Sequence, residues 1–333
     1  MKHELRIMNK LKLKELKIKN LKFKIGLVLL LAICYSLAAG SAHAQSVDLG
    51  IYPPVFQIQA TAPSDVKIPF FIQNFTDSSV PLTISLKPFT ADPAENGNIT
   101  FLDVANYPDP FLPQRIQVLD SENSTGNLIL SPQQKKDLTL EVQIPNNEPK
   151  GDYYLSLVFS SGAQNLNNRS SSQATISIAS NILLSIGPVG KTQGQIADFS
   201  TPFFVTKGPV PFTVRVKNTS DHYITPKGSI VVANMFGQTI GKVNLLPVNI
   251  LANTVRRIPD SIQSNPTTAV WPEKFLVGPY TATLTLALSD SGPLFTRQIV
   301  FFAFPLEYLI AILLIIGLII FIAIRVNRSR KIL

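Results

Sequence analysis

The sequence has little of what catalytic sites and disulfide-stapled domains are built from. In 333 residues there is one cysteine, Cys34, and three histidines, His3, His43 and His222. A lone thiol excludes a disulfide framework within the chain. No histidine cluster is available to hold zinc, and no Ser-His-Asp set has a second candidate base. Long apolar runs occur only near the two ends. Between them no stretch sustains a helical period, which excludes a helical bundle.

A net charge of +9 suggests an anionic partner until it is divided by segment. Residues 1–44 hold nine of the 30 Lys and Arg and two of the 21 Asp and Glu. Four more bases lie beyond Ile324, which leaves residues 45–324 with 17 bases and 19 acids. The middle is nearly neutral, so no nucleic-acid footprint is expected.

The first 24 residues carry a lysine-rich run. An apolar stretch, Ile25–Ala39, follows, and then Ala42-His43-Ala44. That layout predicts a secretory signal peptide over 1–44, cleaved after Ala44, with an uncleaved signal anchor as the rival. A lipoprotein reading of Cys34 fails because the bulky Ile33 precedes it. Tyr308–Ile324 is free of charge, and Arg325, Arg328, Arg330 and Lys331 follow. This pattern predicts a transmembrane helix over 305–324 and a basic cytoplasmic tail over 325–333. The expected location is the cell membrane, single-pass, with an extracytoplasmic ectodomain.

What lies between reads as short β-runs separated by turns. Leu138-Thr139-Leu140 and Thr283-Leu284-Thr285-Leu286 alternate as half-buried strands do. The predicted fold class is all-β: two tandem Ig-like β-sandwich domains, with the signal peptide before them and one transmembrane helix after. The Gly187-Pro188-Val189-Gly190 punctuation places a linker at 188–194 between domain 1, 45–187, and domain 2, 195–304.

The halves share a faint repeat. Phe71 to Asp77 runs into an Asn74 turn much as Val214 to Asp221 runs into an Asn218 turn. Gly151-Asp152-Tyr153 matches Gly278-Pro279-Tyr280, each tyrosine opening a late strand where a hydroxyl can cap a corner. Gly151, Tyr153, Asn218, Gly278 and Tyr280 are therefore structural candidates. Convergent turn chemistry is the alternative explanation.

Two loops stand out: Thr90–Arg115, holding the hairpin signal Asn96-Gly97, and the polar stretch Gly162–Ser172. Asp92, Asn96, Gly97, Ile99 and Asp103 partly echo a calcium loop, but Ala94 stands at its third position and Asp at its twelfth. The hairpin accounts for Asn-Gly without a metal, and no cofactor is expected. Asn74, Asn98, Asn123, Asn168 and Asn218 head N-x-Ser/Thr triplets. His222 reads as a solvated turn residue. Trp271, with Pro272, Phe275 and Tyr280 nearby, reads as core, with an aromatic contact patch as the alternative.

Two Ig-like domains with this leader, apolar end and tail resemble the WxL-interacting proteins of Gram-positive bacterial surfaces. The local echoes are Asn96-Gly97-Asn98-Ile99, Leu130-Ser131-Pro132, Gly151-x-Tyr153 and the Asn218 turn. The resemblance implies a peptidoglycan-binding first domain and a partner-binding second. The family's glycine-rich segment is replaced by Tyr153-Leu155-Leu157, and no Trp-x-Leu triplet occurs, so the chain would be the partner of a WxL protein.

The function expected from this inventory is a non-enzymatic, membrane-anchored binding or scaffolding protein of the cell surface, holding peptidoglycan or a surface protein. One alternative is an envelope assembly chaperone or secretion accessory, since tandem Ig-like domains also occur in pilus chaperones. Another is a surface hydrolase working through a carboxylate pair that the sequence does not single out.

Overall fold

The computed structural model describes residues 48–330, apart from 108–111, 162–175, 189, 263–266, 290–291 and 293. Ala42, Ala44 and the rest of the expected signal peptide, the Gly162–Ser172 loop, Asn168 and Lys331 lie outside the described residues.

In chain order the first strands are β1 (Leu49–Tyr52), β2 (Val55–Ala60), β3 (Ser64–Asn74), β4 (Val80–Ala91), β5 (Ile99–Phe101) and β6 (Ile116–Asp120). They continue with β7 (Asn123–Ser124), β8 (Asn127–Leu130), β9 (Lys135–Ile144), β10 (Gly151–Ser160) and β11 (Ser177–Ile186). One sheet runs β1-β3-β9-β6-β7. The other runs β2-β11-β10-β4-β5, with β8 also on β4. Edge-to-face Phe56 and Phe70, with Phe159 beyond them, fill the space between the sheets.

The chain changes sheets at Pro53-Pro54. β1 pairs antiparallel with β3, and β2 then pairs parallel with β11. Two consecutive prolines offer no N–H to extend the first ladder, so the strand ends there. Pro69 is tolerated within β3 because β1 stops opposite Phe71, leaving a ladder only toward β9 at that point.

Further strands are β12 (Gly194–Ser200), β13 (Phe204–Val205), β14 (Val210–Asn218), β15 (Lys227–Asn234) and β16 (Thr239–Asn244). The last are β17 (Val255–Arg257), β18 (Ala269–Trp271), β19 (Gly278–Ala287) and β20 (Leu294–Ala303). Their sheets run β12-β14-β17, with β18 also on β14, and β13-β20-β19-β15-β16. The strand switch recurs: β12 lies antiparallel to β14, and β13 parallel to β20. Along their whole length, every second side chain of β14 and β19 is buried and those between are half-buried or exposed, as a strand with one face on the core requires. The all-β reading and its Ig-type sandwiches hold.

Helix α1 (Leu306–Arg330) follows β20. The expectation of a transmembrane anchor, and with it the single-pass membrane location, is corrected. Among the described residues no helix is long and apolar enough to cross a membrane. The uncharged stretch from Tyr308 to Ile324 rises only about 25 Å, short of a hydrocarbon core of about 30 Å. Arg325, Arg328 and Arg330 then continue the same helix.

Candidate functional site

The repeated asparagines are buried turn anchors. Asn74 Nδ2 donates to the carbonyls of Ser78 (2.8 Å), Leu130 (3.4 Å) and Ser131 (2.9 Å). Its Oδ1 accepts from the Thr76 amide and hydroxyl. Asn218 Nδ2 donates to His222, Ile250 and Leu251 carbonyls at 2.7–3.0 Å, and its Oδ1 accepts from Ser220 N. Both are fully buried, so neither amide is open to a sugar. The tyrosines also correspond. Tyr153 donates to the Pro149 carbonyl at 3.0 Å. Tyr280 donates to the Val277 carbonyl and accepts from its amide. Gly151 and Gly278 precede these with φ of 147° and 104°, a region that favours glycine.

His222 departs from the expected solvated turn. It is 6% exposed, with Nδ1 3.0 Å from Asp221 Oδ1 and Nε2 3.4 Å from Thr192 Oγ1. The Asn218 turn, tied to both His222 and Ile250, draws the ring inward. Trp271 lies in the core, edge-on to Tyr280.

The Thr90–Arg115 segment is more ordered than a long loop. β5 returns along β4 with Ala91 opposite Ile99, and 3-10 turns form at Val104–Asn106 and Leu112–Arg115. Asp92 accepts from Ala94 N and Thr100 Oγ1, and Asp103 caps the first of those turns. Among the described residues no group of three or more His, Cys, Asp or Glu side chains could hold a metal.

The turn at 92–98 instead reaches the second sandwich. Glu95 takes a bidentate pair from Arg215 Nε and Nη2, at 2.7 and 2.6 Å. Its carbonyl accepts from Arg257 N at 2.8 Å. The Arg215 hydrogen bond holds the Glu95 carboxyl below its usual range. A second junction centres on Asp152, which accepts from Ser185 Oγ (2.6 Å), Tyr154 OH (2.9 Å) and Tyr223 N (2.6 Å). Tyr154 OH in turn accepts from Ala252 N. Burial is the main cause that pushes the Tyr154 hydroxyl well above its ordinary value. Phe89, Leu183 and Leu251 pack between these junctions.

The far end of the second sandwich is different in character. Phe203 is 74% exposed, Phe236 78%, Phe275 61% and Met235 58%. Their segments are tied together. Phe302 N donates to the Phe203 carbonyl at 2.7 Å, and Phe204 stacks on Phe302 with centroids 5.9 Å apart. Phe275 meets Tyr308 edge-on at 5.9 Å, and Gly208 N donates to the Lys274 carbonyl. A Cβ on Gly278 would touch the Met235 methyl. Exposed apolar side chains gathered on one end of a folded unit mark an interaction surface. The signal in the sequence was faint, because Phe203, Met235-Phe236 and Phe275 lie in separate turns.

No protein-family model matches the sequence, and no curated protein does. Among solved structures, the chain is similar to the class 5 fimbriae chaperone CfaA. That match has 12% identity and a TM-score of 0.36, covering 75% of this chain and 98% of that one. It is also similar to the CupB2 chaperone of Pseudomonas aeruginosa, with 9% identity, a TM-score of 0.34 and coverage of 74% and 97%. A third is the Salmonella enterica SafB chaperone in complex with the SafA pilin, with 11% identity, a TM-score of 0.34 and coverage of 76% and 96%. Likeness at this level bears on no functional detail. The resemblance to WxL-interacting proteins is corrected: no family model matches the sequence. The peptidoglycan-binding role that rested on it is corrected with it.

Proposed function

We propose that the chain is an exported, non-enzymatic assembly chaperone or secretion accessory that binds apolar segments of a client polypeptide. One observation carries this reading: the cluster of exposed Phe203, Met235, Phe236 and Phe275 at the end of the second sandwich. Surface of this kind is costly to leave in water, at roughly 25 cal/mol per Å². A client strand or helix presenting apolar side chains would cover it. Around it the inventory is poor in catalytic groups, with His222 the sole histidine beyond residue 44 and turned into a buried corner.

The proposal includes the division of the chain. Residues 1–44 are a signal peptide removed after Ala44, 45–187 and 195–304 are the Ig-like domains, and 188–194 is the linker. N-terminal sequencing of the exported chain should begin at Gln45, and retention of Met1 would refute the cleavage.

The test of function uses the full chain and a β-sandwich subunit that aggregates on dilution from denaturant. The chain should suppress light scattering at near-equimolar ratio. A Phe236→Ser, Phe275→Ser double variant should lose that effect while keeping its circular dichroism. Equal suppression by the variant would remove this surface from the account.

A further inference from the structure

We propose that the 92–98 turn is an acid-releasable clasp, in which Glu95 grips Arg215 and fixes the angle between the two sandwiches. Three observations on the turn converge. Glu95 sits at φ 59°, a left-handed conformation that costs a non-glycine residue about 1 kcal/mol. Such a backbone persists where surrounding contacts over-determine it. Here those contacts come from the other sandwich: the bidentate Arg215 pair from β14 and the Arg257 amide from β17.

The next turn position repeats the logic. Gly97 has φ 88°, and a Cβ there would collide with the Arg256 guanidinium. That guanidinium is held from its own side, donating to the Asn249 carbonyl at 2.7 Å. The hairpin is therefore shaped to admit an arginine of the second sandwich against its backbone. Within the turn, Asp92 N donates to Asn98 O and Glu95 N to Asp92 O, so the grip is presented on a closed scaffold.

The charged groups acting on Glu95 are Arg215 on β14 and Arg257 on β17, and Arg256 on β17 and Asp92 of the turn line the same cavity. Asp198 on β12 acts on Arg215 from the other side. Bases dominate this ring, and their pull keeps the carboxylate ionised. A carboxyl with a depressed pKa in the clasped form gives stability that is present above its free value and is lost as pH falls through the clasped value. Release therefore lies on the acid side of the free carboxyl's value.

The experiment measures the distance between spin labels in the full chain, at Ile129→Cys on β8 and Lys242→Cys on β16, with Cys34→Ser to remove the native thiol. At pH 7 the chain should give one narrow distance. Glu95→Ala should broaden it at pH 7, and Arg215→Ala should broaden it as far, with the double variant no broader than either. Lowering the pH from 7 to 3 should broaden the native distribution while the far-ultraviolet strand signal persists, and should leave the Glu95→Ala distribution unchanged. A Glu95→Ala chain as narrow as the native one at pH 7 would overturn the clasp. So would an Arg215→Ala chain as narrow as the native one, or a native distribution indifferent to acid.

Discussion

The two sandwiches share a frame and differ in what they turn outward. In each, the first strand changes sheets, a fully buried asparagine anchors a turn, and a tyrosine caps a late corner. On the first sandwich the outward face of β3 and β9 is polar. Lys67 and Glu141 pair at 3.0 Å, and Lys135 lies 3.9 Å from the Phe71 ring centroid. On the second, the sheet around β20 carries Val300, Phe302 and Phe204 outward, and its end gathers Phe203, Phe236 and Phe275. The contrast teaches that the anchors belong to the fold, whereas the surfaces are free to diverge. Function is to be sought where the copies differ.

The comparison can be broken at its strongest point. If the asparagines are equivalent, Asn74→Ala and Asn218→Ala should each destabilise their own sandwich by about 3 kcal/mol, since each strands several buried carbonyls. The measurement is the shift of each unfolding transition in urea. A large loss in one sandwich and almost none in the other would make the repeat a coincidence of sequence.

The tyrosine corners sharpen it. Tyr153→Phe and Tyr280→Phe each remove hydroxyl hydrogen bonds without opening a cavity, and should cost about 1 kcal/mol apiece. Substitutions at the apolar end are the smallest in stability. Phe236→Ser should fall within about 0.5 kcal/mol of the native chain, because a side chain 78% exposed has few contacts to lose.

Much of this frame was legible in the sequence, because it is written locally. Leu-Thr alternation marks strands within four residues, and Asn-x-Ser/Thr-Asp marks a turn without reference to the rest of the chain. The Asn96-Gly97 hairpin was legible for the same reason. What was hidden depends on distant partners. Glu95 finds Arg215 across 120 positions, and Asp152 finds Tyr223 across 71. No local pattern predicts either, since the sandwich sheets decide which turns meet. His222 was misread because a polar turn residue is ordinarily solvated, whereas here the Asn218 turn folds it under the surface. Charge-free length suggested a membrane span at Tyr308–Ile324, although the stretch is short for that purpose. The apolar end was legible only at Phe275, because its other members are scattered from Phe203 to Phe236.

The most direct measurement compares client capture by matched surface variants of the full chain. Phe203→Ser, Phe236→Ser and Phe275→Ser together alter the end of the second sandwich, and Ile129→Ser alters an apolar residue 68% exposed on the first. Suppression of client aggregation should be lost in the triple variant and retained in Ile129→Ser, with both chains folded. Retention in the triple variant, or loss in Ile129→Ser, would contradict the assignment of client binding to the second sandwich.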